Sequence, residues 1–316
     1  MIKIDKAYCH QTDSVLSIYQ VRDLHFDEDN PFNAKNATYE CLDEDCHAPL
    51  IGVNSTSVEF KNAPHYRLKR GHEHSEACDF NKATHVTKAE EEPNQERDYK
   101  ASAHPNVLLL ERQPVPRCTG KPRKPRAPRD PSDAPIALDT GREHNSPHET
   151  SILEHVVETW LEHGEVLRRV ALTIGEKTKW YPNAFKYIKY FTDERGLIYW
   201  GNVKKIKPYG HGYSITFMER PEYEGDKRQI GIYITDEQIN SYRKRRLFRR
   251  YIDSLVNSEE GTVQCYFVGA YPVLKETEVV YQTAKGEQSF RPLEVYLSNL
   301  DHLVLRFNRD EEDTDS

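Results

Sequence analysis

Several hallmarks of membrane, secreted and catalytic proteins are missing from this sequence. No stretch approaches the ~18–20 consecutive apolar residues that a helix needs to cross a bilayer. The opening residues, Met1-Ile2-Lys3-Ile4-Asp5-Lys6, lack the apolar centre of a secretory leader. Cysteine is scarce, with 6 in 316 residues, which excludes a disulfide scaffold. A cytoplasmic protein without membrane contact is therefore expected. There is no glycine-rich phosphate loop, no Gly-x-Ser-x-Gly elbow and no His-Glu-x-x-His helix, so neither an enzyme nor a small-molecule cofactor is indicated. Net positive charge is also missing: 44 basic against 51 acidic residues give 44 − 51 = −7. That total excludes a uniformly basic, charge-driven binder, but a sum says nothing about local patches.

The charge is in fact unevenly spread. Residues 1–110 carry 12 basic and 19 acidic residues, 12 − 19 = −7, which equals the whole net charge. From Arg112 to Arg129 seven basic residues occur without one acidic residue, interleaved with Pro114, Pro116, Pro122, Pro125 and Pro128. Proline at that density excludes a helix or a central strand and leaves an extended chain. Residues 111–150 therefore read as a basic linker between a first domain, 1–110, and a second, 151–308. Arg123 and Arg126 within it are candidate phosphate contacts, and such contacts weaken with salt. Residues 309–316 form an acidic tail, expected to be disordered.

The first domain concentrates metal-ligand chemistry. Cys41 and Cys46 flank a turn of four residues, and His74 and Cys78 have three residues between them. Zinc prefers four thiolate or imidazole ligands in a tetrahedron, commonly delivered as two close pairs. Between the pairs lie 73 − 46 = 27 residues, enough for a hairpin through Leu50-Ile51-Gly52-Val53 and Val58-Glu59-Phe60. One structural Zn²⁺ held by Cys41, Cys46, His74 and Cys78 is expected, with His72, His65 and Cys9 as rival ligands. Four available ligands and no partner base favour a closed site over a catalytic one.

The order of these features resembles the N-terminal zinc-binding region of the competence protein CoiA family. Ala7-Tyr8 and Val15-Leu16-Ser17-Ile18-Tyr19 would be its leading strands. Cys41/Cys46, Pro64-His65-Tyr66-Arg67 and His74/Cys78 then follow in the family's order. The likeness covers about residues 1–80, and the Cys41/Cys46 spacing is wider than the family's usual two residues. It implies zinc binding and a place in bacterial DNA processing. No acidic-plus-lysine cluster downstream matches the nuclease-like part of that family, so nuclease activity is not carried over.

In the second domain Ser151 and Glu154 have capping-box spacing ahead of an apolar stripe at Ile152, Leu153, Val156, Val157, Trp160 and Leu161, which predicts a helix. The aromatic-rich residues 166–191 suggest another helix or packing segment. Residues 197–206 read as a long strand with Gly201 at a bulge or bend. Alternating patterns at 213–218 and 230–234 give two further strands. Thr235 with Gln238 caps a helix running to about Val256, and strands return at 263–268, 278–282, 293–297 and 303–307. Three strands, a helix and further strands match the chain order of an OB-fold. The expected class is thus α+β: a zinc-stabilised β-rich N-terminal module joined by a Pro-rich basic linker to an OB-like β-barrel domain with flanking helices.

Such barrels bind oligonucleotides with aromatic and basic side chains. Trp200, Lys204, Lys205, Tyr213 and Tyr233 are candidate contacts, with Tyr199, Tyr209 and Lys207 nearby. Arg243, Arg245, Arg246 and Arg249 form a second candidate patch on the helix. A nucleic-acid-binding accessory protein of bacterial DNA processing or of genome and phage defence is the leading expectation, with DNA or RNA as partner. A protein–protein adaptor in a larger complex, or a divergent metal-dependent nuclease, is the alternative.

Overall fold

The computed structural model describes residues 4–43, 45–60, 62–76, 78, 80, 104–112, 148–192, 194–256, 262–283 and 286–307. The expected linker, with Arg123 and Arg126, falls almost wholly outside the described residues, as does the acidic tail. The chain divides into two compact units, Met1–His104 with Pro114–His148, and Pro105–Gln113 with Glu149–Ser316.

The first unit is a five-stranded antiparallel sheet. Its strands are β1 (Lys6–Cys9), β2 (Ser14–Ser17), β3 (Tyr39–Glu40), β4 (Pro49–Val53) and β5 (His65–Leu68), in the order β2-β1-β3-β4-β5. Helix α1 (Ile18–Phe26) follows β2 directly. The apolar run at Val15–Tyr19 suggested a single strand, but Ser17 ends it. Its hydroxyl accepts from the Gln20 amide while the Gln20 side chain accepts from the Ser17 amide, a reciprocal cap that starts a helix. Ile18, Tyr19, Val21 and Leu24 are buried on this helix.

Arg22, buried on α1, donates to the carbonyls of Asn54 (2.6 Å) and Ser57 (2.8 Å), and its guanidinium lies 4.8 Å from the centre of the Phe60 ring. These contacts hold residues 54–60 as a loop. The hairpin expected between 50–53 and 58–60 therefore forms instead between β4 and β5, with Leu50 opposite Leu68 and Val53 opposite His65.

The second unit begins with β6 (Val107–Leu108), β7 (Glu149–Thr150), helix α2 (Leu153–His163), β8 (Ala171–Ile174) and β9 (Lys177–Trp180). β7, β6, β8 and β9 make a small four-stranded sheet. A single helical turn, α3 (Tyr181–Ala184), leads into β10 (Phe185–Tyr187). Residues 166–191 are thus short strands and turns rather than one helix. Helix α2 lacks the expected Ser151–Glu154 box; its cap position is Ile152, whose amide donates to the Thr150 hydroxyl.

The central sheet comprises β11 (Ile198–Pro208), β12 (Gly212–Phe217), β15 (Ile230–Thr235), β16 (Val263–Val268), β17 (Pro272–Leu274), β20 (Leu293–Val295) and β21 (Leu303–Phe307). Two small hairpins, β13 (Glu222–Tyr223) with β14 (Asp226–Lys227) and β18 (Val279–Thr283) with β19 (Gly286–Phe290), lie between these strands in the chain. The sheet order is β17-β20-β15-β12-β11-β16-β21, with β10 parallel to the first residues of β11. Helices α4 (Asp236–Ser241) and α5 (Arg245–Val256) follow β15.

Among the described residues this is an open sheet, not the closed OB-like barrel that the strand order suggested. Closure would require β15 to pair with β21, but that edge of β15 is occupied by β20 in parallel register, Ile232 opposite Val295. The expected single helix from Thr235 is two helices. Thr235 and Gln238 do form the capping box, but α4 ends at Ser241, where the Tyr242 amide bonds the Ile239 carbonyl and the chain turns before Arg245. The irregularity in β11 falls between Val203 and Lys205 rather than at Gly201. Gly201 answers a different need: a Cβ there would sit 2.5 Å from Ile188 Cγ2 and 2.9 Å from Glu219 Oε2.

One face of the sheet, with Ile206, Ile215, Phe217, Ile232, Ile234 and Phe267, packs against Ile239 of α4 and Ile252 and Leu255 of α5. On the opposite face the end near Ile198, Tyr266 and Val304 is covered by Leu153, Val156 and Val157 of α2 with Leu172 and Ile174 of the small sheet. The buried Glu158 of α2 accepts a hydrogen bond from Arg306 Nε of β21, which fixes this helix over that end.

The turn between α4 and α5 carries a buried ion pair, Arg243 NH2 to Asp301 Oδ2 at 3.1 Å, with the two side chains only 8% and 5% exposed. Lys244 Nζ (3.1 Å) and the Tyr242 hydroxyl (2.7 Å) complete the surroundings of Asp301. Burial alone would raise the Asp301 pKa, but Lys244 and Arg243 outweigh it and hold the carboxyl below its ordinary value. Arg243→Ala leaves the buried carboxylate with Lys244 as its remaining cation, so it is expected to cost about 2 kcal/mol in chemical denaturation, less than the loss of a sole partner would. A group with a lowered folded pKa contributes its stability above the ordinary carboxylate range and loses it as the pH falls through the lowered value. The wild-type contribution should therefore be complete at neutral pH, start to fall only below about pH 4, and disappear once the pH has passed the lowered value. Urea titrations of both proteins across that range should show the difference between them shrink on acidification.

Candidate metal centre and candidate nucleic-acid surface

Cys41, Cys46, His74 and Cys78 converge in the first unit, with one ligand atom from each lying within 4.8 Å of all the others. The first pair is placed by the turn between β3 and β4. The Cys41 amide bonds the Ala48 carbonyl (2.9 Å), the Cys46 amide bonds the Asp43 carbonyl (3.1 Å), and His47 takes a positive φ of 45° that lets the chain fold back. The second pair follows β5. Gly71, with φ 83°, reverses the chain after Lys69, and the Cys78 amide bonds the Ser75 carbonyl (3.0 Å).

The separations suit one ion. Cys41 Sγ and Cys78 Sγ are 3.9 Å apart, and His74 Nδ1 lies 3.2 Å from Cys46 Sγ and 3.4 Å from Cys78 Sγ. A tetrahedral zinc with Zn–S of about 2.3 Å and Zn–N of about 2.05 Å requires roughly 3.8 Å between sulfurs and 3.6 Å from sulfur to nitrogen. Cys41 and Cys78 are buried with Ala48 in a small core of their own, and Phe80 stacks on the His74 ring at 5.8 Å. The four side chains can hold one metal ion.

The surrounding electrostatics differ among the ligands. Burial pushes the Cys41 thiol up, and it lowers the His74 pKa, which favours the neutral imidazole that a metal needs. At Cys46 burial is opposed and outweighed by the amides of Ser75 and Ala48, which draw the thiol below its ordinary value. A bound divalent cation would deprotonate coordinating thiols outright. The rival ligands lie elsewhere: His72 is exposed, His65 Nδ1 contacts the Ala63 carbonyl (2.9 Å), and Cys9 is buried within β1.

The nucleic-acid candidates do not share one surface. Tyr213 is buried on the helix-covered face, where its hydroxyl donates to Asp253 of α5 (2.6 Å); burial and that carboxylate push its pKa up to about 12. Trp200 lies on the opposite face but at its covered end, half-buried, with Tyr187 at 4.7 Å and Tyr266 stacked at 6.1 Å. Tyr199 is buried. Arg243 is enclosed in its pair with Asp301, so it is not part of an exposed arc. Arg249 pairs with Asp236 (3.1 Å) and donates to Asn240 (2.9 Å), while Arg245 is half-buried and Arg246 exposed on α5. All four arginines belong to the side of the sheet that the helices cover.

Lys205 and Tyr233 are on the other side, in the part that α2 leaves open. Beyond the β11 irregularity, Lys205 stands opposite Thr216, and Lys207 opposite Ser214, which in turn stands opposite Tyr233. Lys204 is exposed at the irregularity itself. Tyr209 meets the Tyr233 ring edge-on at 5.6 Å, and Lys207 Nζ lies 5.7 Å from the Tyr209 ring centre. Across the sheet Gly231 stands opposite Glu294, whose carboxylate accepts from Lys275 (2.7 Å) and from the Tyr296 hydroxyl (2.5 Å).

Sequence reasoning missed Tyr296. The alternation of Leu293, Val295 and Leu297 with Glu294 and Tyr296 carries the signal, because it assigns Glu294 and Tyr296 to the face away from the core. No protein-family model matches the chain, and no curated protein or solved structure matches it either.

Proposed function

We propose that this protein binds nucleic acid as an accessory factor, through the open face of its central sheet, and that its first unit is held together by one structural zinc ion. The observation that carries this reading is the exposed face bearing Lys205, Lys207, Tyr209, Tyr233 and Tyr296 together. Lysines there meet phosphates, and exposed rings meet bases. The place in bacterial DNA processing or defence rests on the likeness of residues 1–80 to the CoiA family. The choice of zinc rests on three thiolates and one imidazole in a closed, partly buried set, a donor combination typical of structural zinc. Zinc binding in such small units supplies on the order of 10 kcal/mol of folding free energy.

Two outcomes are expected. Elemental analysis of the purified chain should find one zinc per chain, consistent with a closed four-ligand set. Cys41→Ser and His74→Ala should abolish it and unfold the first unit, whereas His72→Ala should keep it; a metal-free wild type with intact near-ultraviolet circular dichroism would end the zinc reading. Fluorescence anisotropy with labelled DNA and RNA across a salt series should show affinity that falls as salt rises. Replacing Lys205 and Lys207 by Ala should reduce the logarithmic salt slope by about 0.7–0.9 for each lysine that meets a phosphate. No binding to any nucleic acid at low salt would refute the functional reading.

A further inference from the structure

We infer that the nucleic acid this face takes is single-stranded, its unpaired bases stacking on Tyr209, Tyr233 and Tyr296 while Lys205 and Lys207 follow its backbone. This inference rests on the reading just given. Its warrant lies in the shape of the face. The middle is floored by Ser214, Thr216 and Gly231, all small residues, so flat groups can approach the sheet closely. Rings stand where the floor ends: Tyr209 is 54% exposed and Tyr296 58%. Tyr233 is half-buried between them in the chain's order of strands, on β15 with β12 on one side and β20 on the other.

The rings are also positioned. Tyr296 is anchored through its hydroxyl on Glu294, and that carboxylate is itself paired with Lys275, so the acidic group on this floor is partnered by a cation. Tyr209 is braced edge-on by Tyr233. Anchored rings lose little further freedom when a base settles on them.

Duplex and single strand would use these features differently. A base pair inside a duplex is already stacked on both faces and offers only its edges in the grooves, so protein rings have no base face to meet. An unpaired base offers its whole face, and stacking on an aromatic side chain is insensitive to sequence. The cations agree with that choice. Lys205 and Lys207 are alternate residues of one strand, about 6.8 Å apart along a single line, which suits one phosphate backbone running beside the rings.

The test compares a labelled thymidine strand of about 12 nucleotides, within the span that such stacking surfaces occupy, the same strand with abasic sites in place of the bases, and a duplex of equal length, at one low salt concentration. The base-bearing strand should bind at least tenfold more tightly than either of the others. Tyr209→Ala and Tyr296→Ala should each weaken it by about tenfold, within the range set by the loss of one stacked base, while Tyr209→Phe retains binding. Both residues are more than half exposed, so these variants should fold. Equal affinity for the abasic strand or the duplex would overturn the single-strand assignment while leaving nucleic-acid binding intact. Failure to bind any of the three, together with no binding of the labelled RNA in the salt series above, would remove both readings together.

Discussion

The second unit depends on one long strand. β11 runs for eleven residues because one of its edges serves two partners in succession, β10 over Ile198–Trp200 and β12 over Val203–Pro208, while β16 pairs with the other edge over Ile198–Val203. At the handover one residue is extra in register, and the alternation of buried and half-buried residues over Tyr199–Val203 gives way to the exposed pair Lys204-Lys205. An inserted residue of this kind twists a strand and re-aims its side chains. Before it, Trp200 faces a covered surface; after it, Lys205 and Lys207 face an open one.

The two faces of this sheet have separate tasks. Burial of the isoleucines on β12 and β15 against α4 and α5 provides the apolar area that holds the unit together. The other face is only half used for packing, and where α2 and the small sheet stop, polar and aromatic side chains remain in contact with solvent. A half-covered antiparallel sheet is an ordinary arrangement, with apolar residues inward and polar residues outward. Less ordinary is the concentration of tyrosine and lysine on the uncovered part. The basic helix α5 cannot add to it, because the helix packs on the far side and its neighbouring Arg243 is committed to Asp301.

In the first unit, a cluster that can hold a metal ion was legible because thiolate and imidazole spacing is a local property. Cys41 and Cys46 bracket one turn, and His74 and Cys78 bracket another, whatever the rest of the chain does. The choice between His72 and His74 was not legible, since both lie near the second turn and only the direction of the chain after Gly71 separates them. The strands from 198 onward were legible from alternation. The segment 166–191 was not, because its pieces are three to four residues long, too short for any period to show.

Composition and local pattern alone determined that this chain has no helix-length apolar run, that it concentrates soft metal ligands early and strand-forming residues late, and that its acidic total hides basic segments. Each of these follows from residues close together in the chain. Tertiary structure decided which candidates share a surface. Whether the sheet closed depended on β20 reaching β15 across some sixty residues, and whether Tyr213 or Tyr233 met solvent depended on which face the helices covered. Those outcomes arise from long-range pairing and competition for one apolar face, and no short stretch of sequence encodes them.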